Sequence, residues 1–288
     1  MQLSIRMQAV ADMVTPGGRI ADIGTDHGYV PIYLVEQNKA DHAIAMDVRK
    51  GPLARAGENI VRYGCSDRIE TRLSDGLAML KPGEADTVII AGMGGLLTVR
   101  ILEAGLKVLQ SVRECILQPQ SDLDKVRQFL HQHGFQIVQE KMLIDEGKYY
   151  VVMRVLHGEE RIYTEAEDIY GRFLINEKHP VLKEYLEKQK VVKEKLLLAL
   201  KDKTSEKSHE RQQELLHELQ IINETITRMV DENITGEVSA SHNPMFQLIM
   251  PKSCEITFCI SKQAAQSLGQ NGQFIHYDET TNAVDVYF

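Results

Sequence analysis

The spacing of apolar residues changes character along this chain, and each change marks a different kind of element. Leu3, Met7, Val10 and Val14 recur at helical intervals, so residues 3 to 14 are expected to form an amphipathic helix. Thr15-Pro16-Gly17-Gly18 stops it. From there to about residue 140, short apolar runs alternate with longer amphipathic stretches. Ile20–Ile23, Ala43–Met46, Ile69–Leu73, Asp86–Ala91 and Cys115–Leu117 read as strands. Helices are expected at 30 to 38, 50 to 63, 95 to 110 and 121 to 133, with a short one after Asp75. Gln136–Ile144 and Tyr149–Leu156 read as an antiparallel pair closing around Asp145-Glu146-Gly147-Lys148. Strands and helices in strict alternation specify an α/β fold with a doubly wound sheet.

The pattern shifts near residue 160. From there to about 232 there is one glycine, Gly171, and one proline, Pro180, among dense Lys, Glu and Leu. Leu215, Leu219, Ile222, Ile226 and Met229 alternate spacings of four and three, a coiled-coil seam. Leu182, Tyr185, Gln189, Val192, Leu196 and Ala199 repeat that alternation upstream, and Lys201 to His209 between them is polar. This predicts an antiparallel α-helical hairpin with a polar tip. Residues 237 to 288 differ again. Phe246–Met250, Glu255–Ile260, Gln273–Tyr277 and Ala283–Phe288 are short β-like runs, a small β-rich appendage. The expected division is 1–160, 161–236 and 237–288.

Composition narrows the class. No stretch reaches the roughly 18 apolar residues of a membrane span, and the amino-terminal Met-Gln-Leu-Ser-Ile-Arg-Met has no signal-peptide pattern. Cys65, Cys115, Cys254 and Cys259 show no Cys-x-x-Cys spacing. They read as free thiols of a cytoplasmic protein, with no metal site implied. Net charge is −8, from 33 basic and 41 acidic residues, so a nucleic-acid ligand would need a locally basic face.

Candidate chemistry gathers at the strand ends. The first strand carries Asp22 and breaks at Gly24-Thr25-Asp26-His27-Gly28 into a helix, a turn that lets backbone approach a ligand closely. The second ends in Asp47, placed to accept hydrogen bonds from ribose hydroxyls. The third ends in Ser74-Asp75-Gly76, where an acid can accept from an adenine amine. The fourth ends in Gly92-Met93-Gly94-Gly95. This order is that of a class I methyltransferase with S-adenosylmethionine across the strand ends. A dinucleotide fits less well, because Asp26 stands where the middle glycine of Gly-x-Gly-x-x-Gly would seat a pyrophosphate. A sulfonium cation, by contrast, tolerates that acid. After the fourth strand there is no Asn/Asp-Pro-Pro-Tyr/Phe motif of the exocyclic-amine methyltransferases, which favours a ring nitrogen as acceptor.

The strings Asp22-Ile23-Gly24-Thr25-Asp26-His27-Gly28-Tyr29-Val30-Pro31, Ala91-Gly92-Met93-Gly94-Gly95, Leu117-Gln118-Pro119-Gln120 and Glu146-Gly147-Lys148-Tyr149-Tyr150 closely resemble the bacterial tRNA adenine-22 N1-methyltransferases. The resemblance covers residues 1 to about 230; residues 237–288 match nothing in that family. It implies a Rossmann-like class I methyltransferase domain, a coiled-coil domain, S-adenosylmethionine as cofactor and methyl transfer to N1 of an adenine in tRNA. Asp22, Gly24, Gly28, Tyr29, Asp47, Val48, Asp75 and Gly76 are then the candidate cofactor residues. Asp26, His27, Gly92 and Met93 are the candidate catalytic ones. Asp26 is equally suited to capping the following helix, His27 to filling the turn, and Tyr29 to stacking on a base or packing in the core. Arg6, Arg49, Lys190, Lys193 and Lys195 are the candidate tRNA contacts, although the lysines also suit a solvated helix face. A monomer is expected, with a dimer through residues 182 to 230 as the alternative. A methyltransferase of another substrate and a non-catalytic cofactor-binding scaffold are the rival readings.

Overall fold

The computed structural model describes residues 1–201, 203 and 205–230, together with the backbone of three short strands between 256 and 286. It divides into two compact units, Met1–Val230 and Asp231–Phe288. The first is built on a seven-stranded sheet in the order β3-β2-β1-β4-β5-β7-β6. Strands β1 (Arg19–Ile23), β2 (His42–Asp47), β3 (Ile69–Leu73), β4 (Thr87–Met93) and β5 (Glu114–Pro119) run parallel. β7 (Lys148–His157) pairs antiparallel with both β5 and β6 (Phe135–Asp145). The order reverses direction between β1 and β4, which opens a crevice beyond their carboxyl ends.

Alternate side chains of each strand point to opposite faces, and each face carries its own core. Ile20, Ala43, Ala45, Ile89, Ile116 and Val152 pack under α1 (Ile5–Met13) and α2 (Tyr29–Glu36), with Ile60 of α3 (Lys50–Arg62). Ala21, Ile23, Ile44, Met46, Val88, Ile90, Leu117 and Met153 pack under α4 (Gly95–Leu109) and α5 (Leu123–Gln132).

That second core runs through residue 160 without a break. Tyr163, Leu174 and Ile175, from around α6 (Glu165–Tyr170) and α7 (Arg172–Asn176), belong to it, as do Leu182 and Leu186 of α8 (Pro180–Leu200) and Ile222 and Met229 of α9 (Glu206–Met229). Polar ties follow the same route. Arg127 and Glu140 form an ion pair at 2.8 Å with both side chains fully buried. Arg127 Nη1 also donates to the carbonyls of Asp168 and Ile169. Glu167 accepts from Arg161 and from Arg228 of α9.

Several expectations are corrected. The segment after Asp75 is a turn, not a helix: the Ser74 hydroxyl donates to Gly76 O and accepts from Met79 N, supplying the bonds a helix would otherwise make. β4 does not stop at Ala91 but continues through a bulge to Met93, because Gly92 takes a left-handed φ of 78° and its N–H finds Gln118 on β5. The tip of the hairpin is shorter than predicted, since Ser205 caps α9 by accepting from Ser208 N and the helix starts at Glu206. On α9 the predicted seam is buried or half-buried. On α8 it holds only near the base: Val192 and Leu196 are 50% and 46% exposed. Lys193 turns inward instead and pairs with Glu218 of α9, while Gln212 Nε2 donates to Leu200 O. In the distal half these polar bonds join the buried Leu215 and Leu219 of α9 in holding the helices together.

In the second unit, β8 (Ile256–Cys259), β10 (Ala283–Val286) and β9 (His276–Asp278) form an antiparallel sheet in that order. They overlap three of the four β-like runs, with β9 reaching one residue past its run; Phe246–Met250 lies outside the described residues.

Candidate active site

Glycine opens three of the five parallel strand ends. Gly24 after β1, Gly76 after β3 and Gly92 within β4 all have φ between 55° and 78°. A Cβ on Gly24 would collide with the Met93 side chain, and one on Gly76 would come within 3.1 Å of Ile101. Backbone therefore lines a cavity of about 390 Å³ at the strand ends, with Gly24 and Asp26, Asp47 to Arg49, Ser74 to Gly76, and Ala91 to Met93 around it. Leu97, Arg100 and Ile101 of α4 close its side. Asp47 is buried and oriented by accepting from Arg49 N at 2.8 Å through Oδ1. Val48 stands exposed on the rim.

Asp22 lies behind this cavity, not in its wall. Burial pushes its carboxyl up to about 6; the Thr25 hydroxyl works against the rise, and the nearby Asp47 carboxylate adds to it. Gly28 is the N-cap of α2, with φ 72°, and a Cβ there would meet Ala56 of α3 at 3.3 Å. The cap that was the alternative role for Asp26 is therefore made by a glycine. Asp26 instead holds a left-handed φ of 49°, accepts from Arg55 at 3.0 Å and faces His27 Nε2 at 3.6 Å. His27 stacks on Tyr29, ring centroids 5.4 Å apart and planes within 11°. Tyr29 is not part of the strand-end cavity. It lines a neighbouring one of about 350 Å³ with Arg6, Met7, Asp145 and Tyr150.

The fourth strand end joins these parts. Gln118, buried on β5, accepts with one oxygen from Gly92 N at 3.1 Å and from Arg6 Nη1 at 2.9 Å. Arg6 lies 5.4 Å above the Tyr150 ring, and its backbone N–H donates to Asp145. Across Gly92 stands Gln120: a Cβ at Gly92 would be 3.4 Å from Arg6 Nη1 and 3.8 Å from Gln120 Nε2. The glycine thus faces a gap with a guanidinium on one side and an amide on the other. Gln118, Gln120, Arg55 and Arg100 are absent from the sequence-derived site residues. The string Leu117-Gln118-Pro119-Gln120 was the only signal for the first two, and nothing in the sequence sets Arg55 opposite Asp26.

The remaining candidates scatter. Arg49 is on the cavity rim with its Nε 3.9 Å from Asp47. Lys195 is exposed, Lys190 half-buried, and Lys193 is engaged by Glu218, so the three lysines do not form one free face. A third cavity, about 310 Å³, lies beyond β5 beside Gln120 and Tyr149. A larger one, about 480 Å³, opens at the amino ends of β1 to β3 between Arg19, His42 and Arg68, the end of the sheet where this architecture does not bind ligands. Among the described residues there is no cluster of three or more metal-ligating side chains, and no helix long and apolar enough to cross a membrane.

The cavity fits a nucleoside bearing a cation. It is bounded by carboxylates at the second and third strand ends, and glycine keeps its floor open. Comparison with known proteins agrees. Residues 3–153 match the family model described as a methyltransferase domain. The tRNA (adenine(22)-N(1))-methyltransferase of Bacillus subtilis is 38% identical over 186 residues, 63% of this chain and 78% of that protein. The crystal structure of the B. subtilis m1A22 tRNA methyltransferase TrmK superposes with a TM-score of 0.72 at 32% identity, covering 78% of this chain and 99% of that one. A Streptococcus pneumoniae structure in complex with S-adenosyl-L-methionine superposes at 0.71 with 36% identity, covering 78% of this chain and 100% of the other.

Proposed function

The chain belongs to the tRNA (adenine(22)-N(1))-methyltransferase family, and from that premise we propose how its strand-end cavity and its Gly92 gap divide the work. The protein is an S-adenosyl-L-methionine-dependent methyltransferase acting on N1 of an adenine in tRNA. When bound, the cofactor supplies an electrophilic methyl on a sulfonium. Everything else is positioning. Asp47 and Asp75 are the acceptors for ribose hydroxyls and adenine amine, and Gly24, Gly76 and Gly92 leave room for the ligand against the backbone.

Adenine N1 carries an in-plane lone pair and needs no base to remove a proton. Catalysis then consists of holding N1 in line with the methyl at contact distance. Gly92 offers a surface without a side chain for that approach, beside Met93 and flanked by Arg6 and Gln120. The base becomes cationic as the bond forms. Asp26 on the cavity wall is the acid available to stabilise it, with its charge shared with Arg55. Arg6 and Arg49 at the two mouths, with Lys190 and Lys195 on α8, are the cations offered to tRNA phosphates.

The observation that carries this reading is the convergence of Asp47, Asp75 and an unobstructed Gly92 on one cavity. Its test is incubation of the full chain with methyl-labelled S-adenosyl-L-methionine and bacterial tRNA, followed by nucleoside mapping. Label in 1-methyladenosine is expected. Label in another nucleoside, or in none, would overturn it.

A further inference from the structure

The two glutamines of Leu117-Gln118-Pro119-Gln120 have opposite fates. Gln118 is buried, its oxygen accepting from Gly92 and Arg6 and its NH2 donating to Pro119 O. Gln120 is exposed; its backbone N–H donates to Met93 O at 2.8 Å, and its side-chain amide is hydrogen-bonded to no other described residue. That amide sits between two spaces. On one side is the Gly92 gap, with Nε2 3.8 Å from the position a Gly92 Cβ would occupy. On the other is the cavity of about 310 Å³ walled by Leu123, Met142, Tyr149, Tyr170 and Tyr185.

This second cavity has the make-up of a base-binding site. Tyr149 and Tyr185 meet edge to face at 5.0 Å, so their rings form a corner against which a flat ring can lie. The hydroxyls of Tyr170 and Tyr185 are not hydrogen-bonded to any other described residue. Tyr149 is held in place from outside, its hydroxyl donating to Glu184 at 2.9 Å. Position along the sheet matters too. β7 is two strands from β4, roughly 10 Å across at about 4.8 Å per strand, and the pairing register carries Tyr149 past the end of β5, on the open side of the Gly92 end.

We propose that the target adenine is seated with its ring against the Tyr149–Tyr185 corner and that Gln120 reads its N6-amine and N7, aiming N1 at the Gly92 gap. Glutamine suits the task because its carbonyl accepts from N6–H while its NH2 donates to N7, a pairing that adenine offers and the other purine, guanine, with O6 and N7 both acceptors, does not. Gln120 is thus a specificity-determining substrate contact, and the tyrosine cavity is the subsite for the flipped base. This rests on the function proposed above.

The test uses a tRNA that the wild-type chain methylates, prepared with adenosine, purine riboside (no 6-amine) or 7-deazaadenosine (no N7) at the methylated position. Wild type is expected to lose roughly fivefold to a hundredfold in kcat/KM on either analogue. Gln120→Ala should fall by a similar factor on adenosine and lose on the analogues only the smaller factor set by the altered N1, so that wild type loses more than the variant does. The analogues' effect on N1 basicity acts on both proteins alike and cancels in the comparison. Tyr149→Leu should lose about tenfold in kcat/KM while Tyr149→Phe retains it, and cofactor affinity should be unchanged in all three variants. A Gln120→Ala enzyme that still discriminates as wild type does, or a Tyr149→Leu enzyme of wild-type efficiency, overturns the subsite. Failure of wild type to methylate N1 on the adenosine tRNA would instead overturn the function itself.

Discussion

Tyr149 and Tyr150 are neighbours on β7 yet stand in different cavities, one on each face of the sheet. Tyr149 joins Tyr185 beneath the helical hairpin, while Tyr150 lies under Arg6 beside α1. Strand alternation makes this unavoidable. It also gives the string Glu146-Gly147-Lys148-Tyr149-Tyr150 a physical meaning. A tight turn with Glu146 and Gly147 at φ 48° and 75° launches β7 so that one tyrosine reaches each side of the strand ends that hold Gly92.

Asp47→Ala is expected to weaken S-adenosyl-L-methionine binding by roughly 1.5–3 kcal/mol, the usual contribution of hydrogen bonds to a charged acceptor. Oδ1 is already used by Arg49 N, so the other oxygen is the one free to face a ribose. Calorimetry on both proteins measures this; equal affinities would remove Asp47 from the site.

Asp22 predicts a pH dependence with a definite sign. Its folded-state value near 6 lies above the ordinary 3.8. The stability it contributes is therefore complete below about pH 4 and is lost as pH rises through 6, a loss of roughly 3 kcal/mol. Asp22→Asn should be the more stable cofactor-free protein at pH 7, with the advantage fading towards pH 4. A cationic cofactor favours the ionised form, so wild-type affinity should tighten between pH 5 and 7 while that of Asp22→Asn stays flat. Thermal melts and calorimetry across that range decide both parts.

The lysines of α8 separate by role. Lys193→Glu should lower the melting temperature, because it places two carboxylates together where Lys193 now meets Glu218. Lys190→Glu with Lys195→Glu should leave melting nearly unchanged, weaken tRNA binding and reduce its salt slope by about one unit per lost phosphate contact. Filter binding across salt would show it; an unchanged slope would mean that tRNA docks elsewhere.

Arg127→Ala should destabilise the protein by about 3–5 kcal/mol, since it strands the buried Glu140 carboxylate. For the same reason a chain ending at residue 160 is expected to lose its cooperative thermal transition. Asp168 and Ile169 supply carbonyls to Arg127, and Leu174, Leu182, Ile222 and Met229 complete the core on that face. A sharp melt from the shortened chain would refute this.

The sequence by itself determined the sheet, its strand ends and the chemistry they carry. Those features are local: apolar runs of strand length, glycines where φ must be positive, an acid at the end of β2 and another after β3. It also determined the family, through strings such as Asp22 to Pro31. What only the tertiary structure decided concerns groups that meet across the chain. Asp26 looks like a helix cap in sequence but is drawn to Arg55, 29 residues away, while Gly28 takes the cap. Lys193 looks like a free cation until α9 folds back and brings Glu218 to it. Gln118 and Gln120 are indistinguishable by type, yet β5 buries the first and the chain leaving β5 exposes the second. Periodicity records which face of an element is apolar. It does not record which partner a polar side chain finds there, because that depends on packing between segments far apart in the chain.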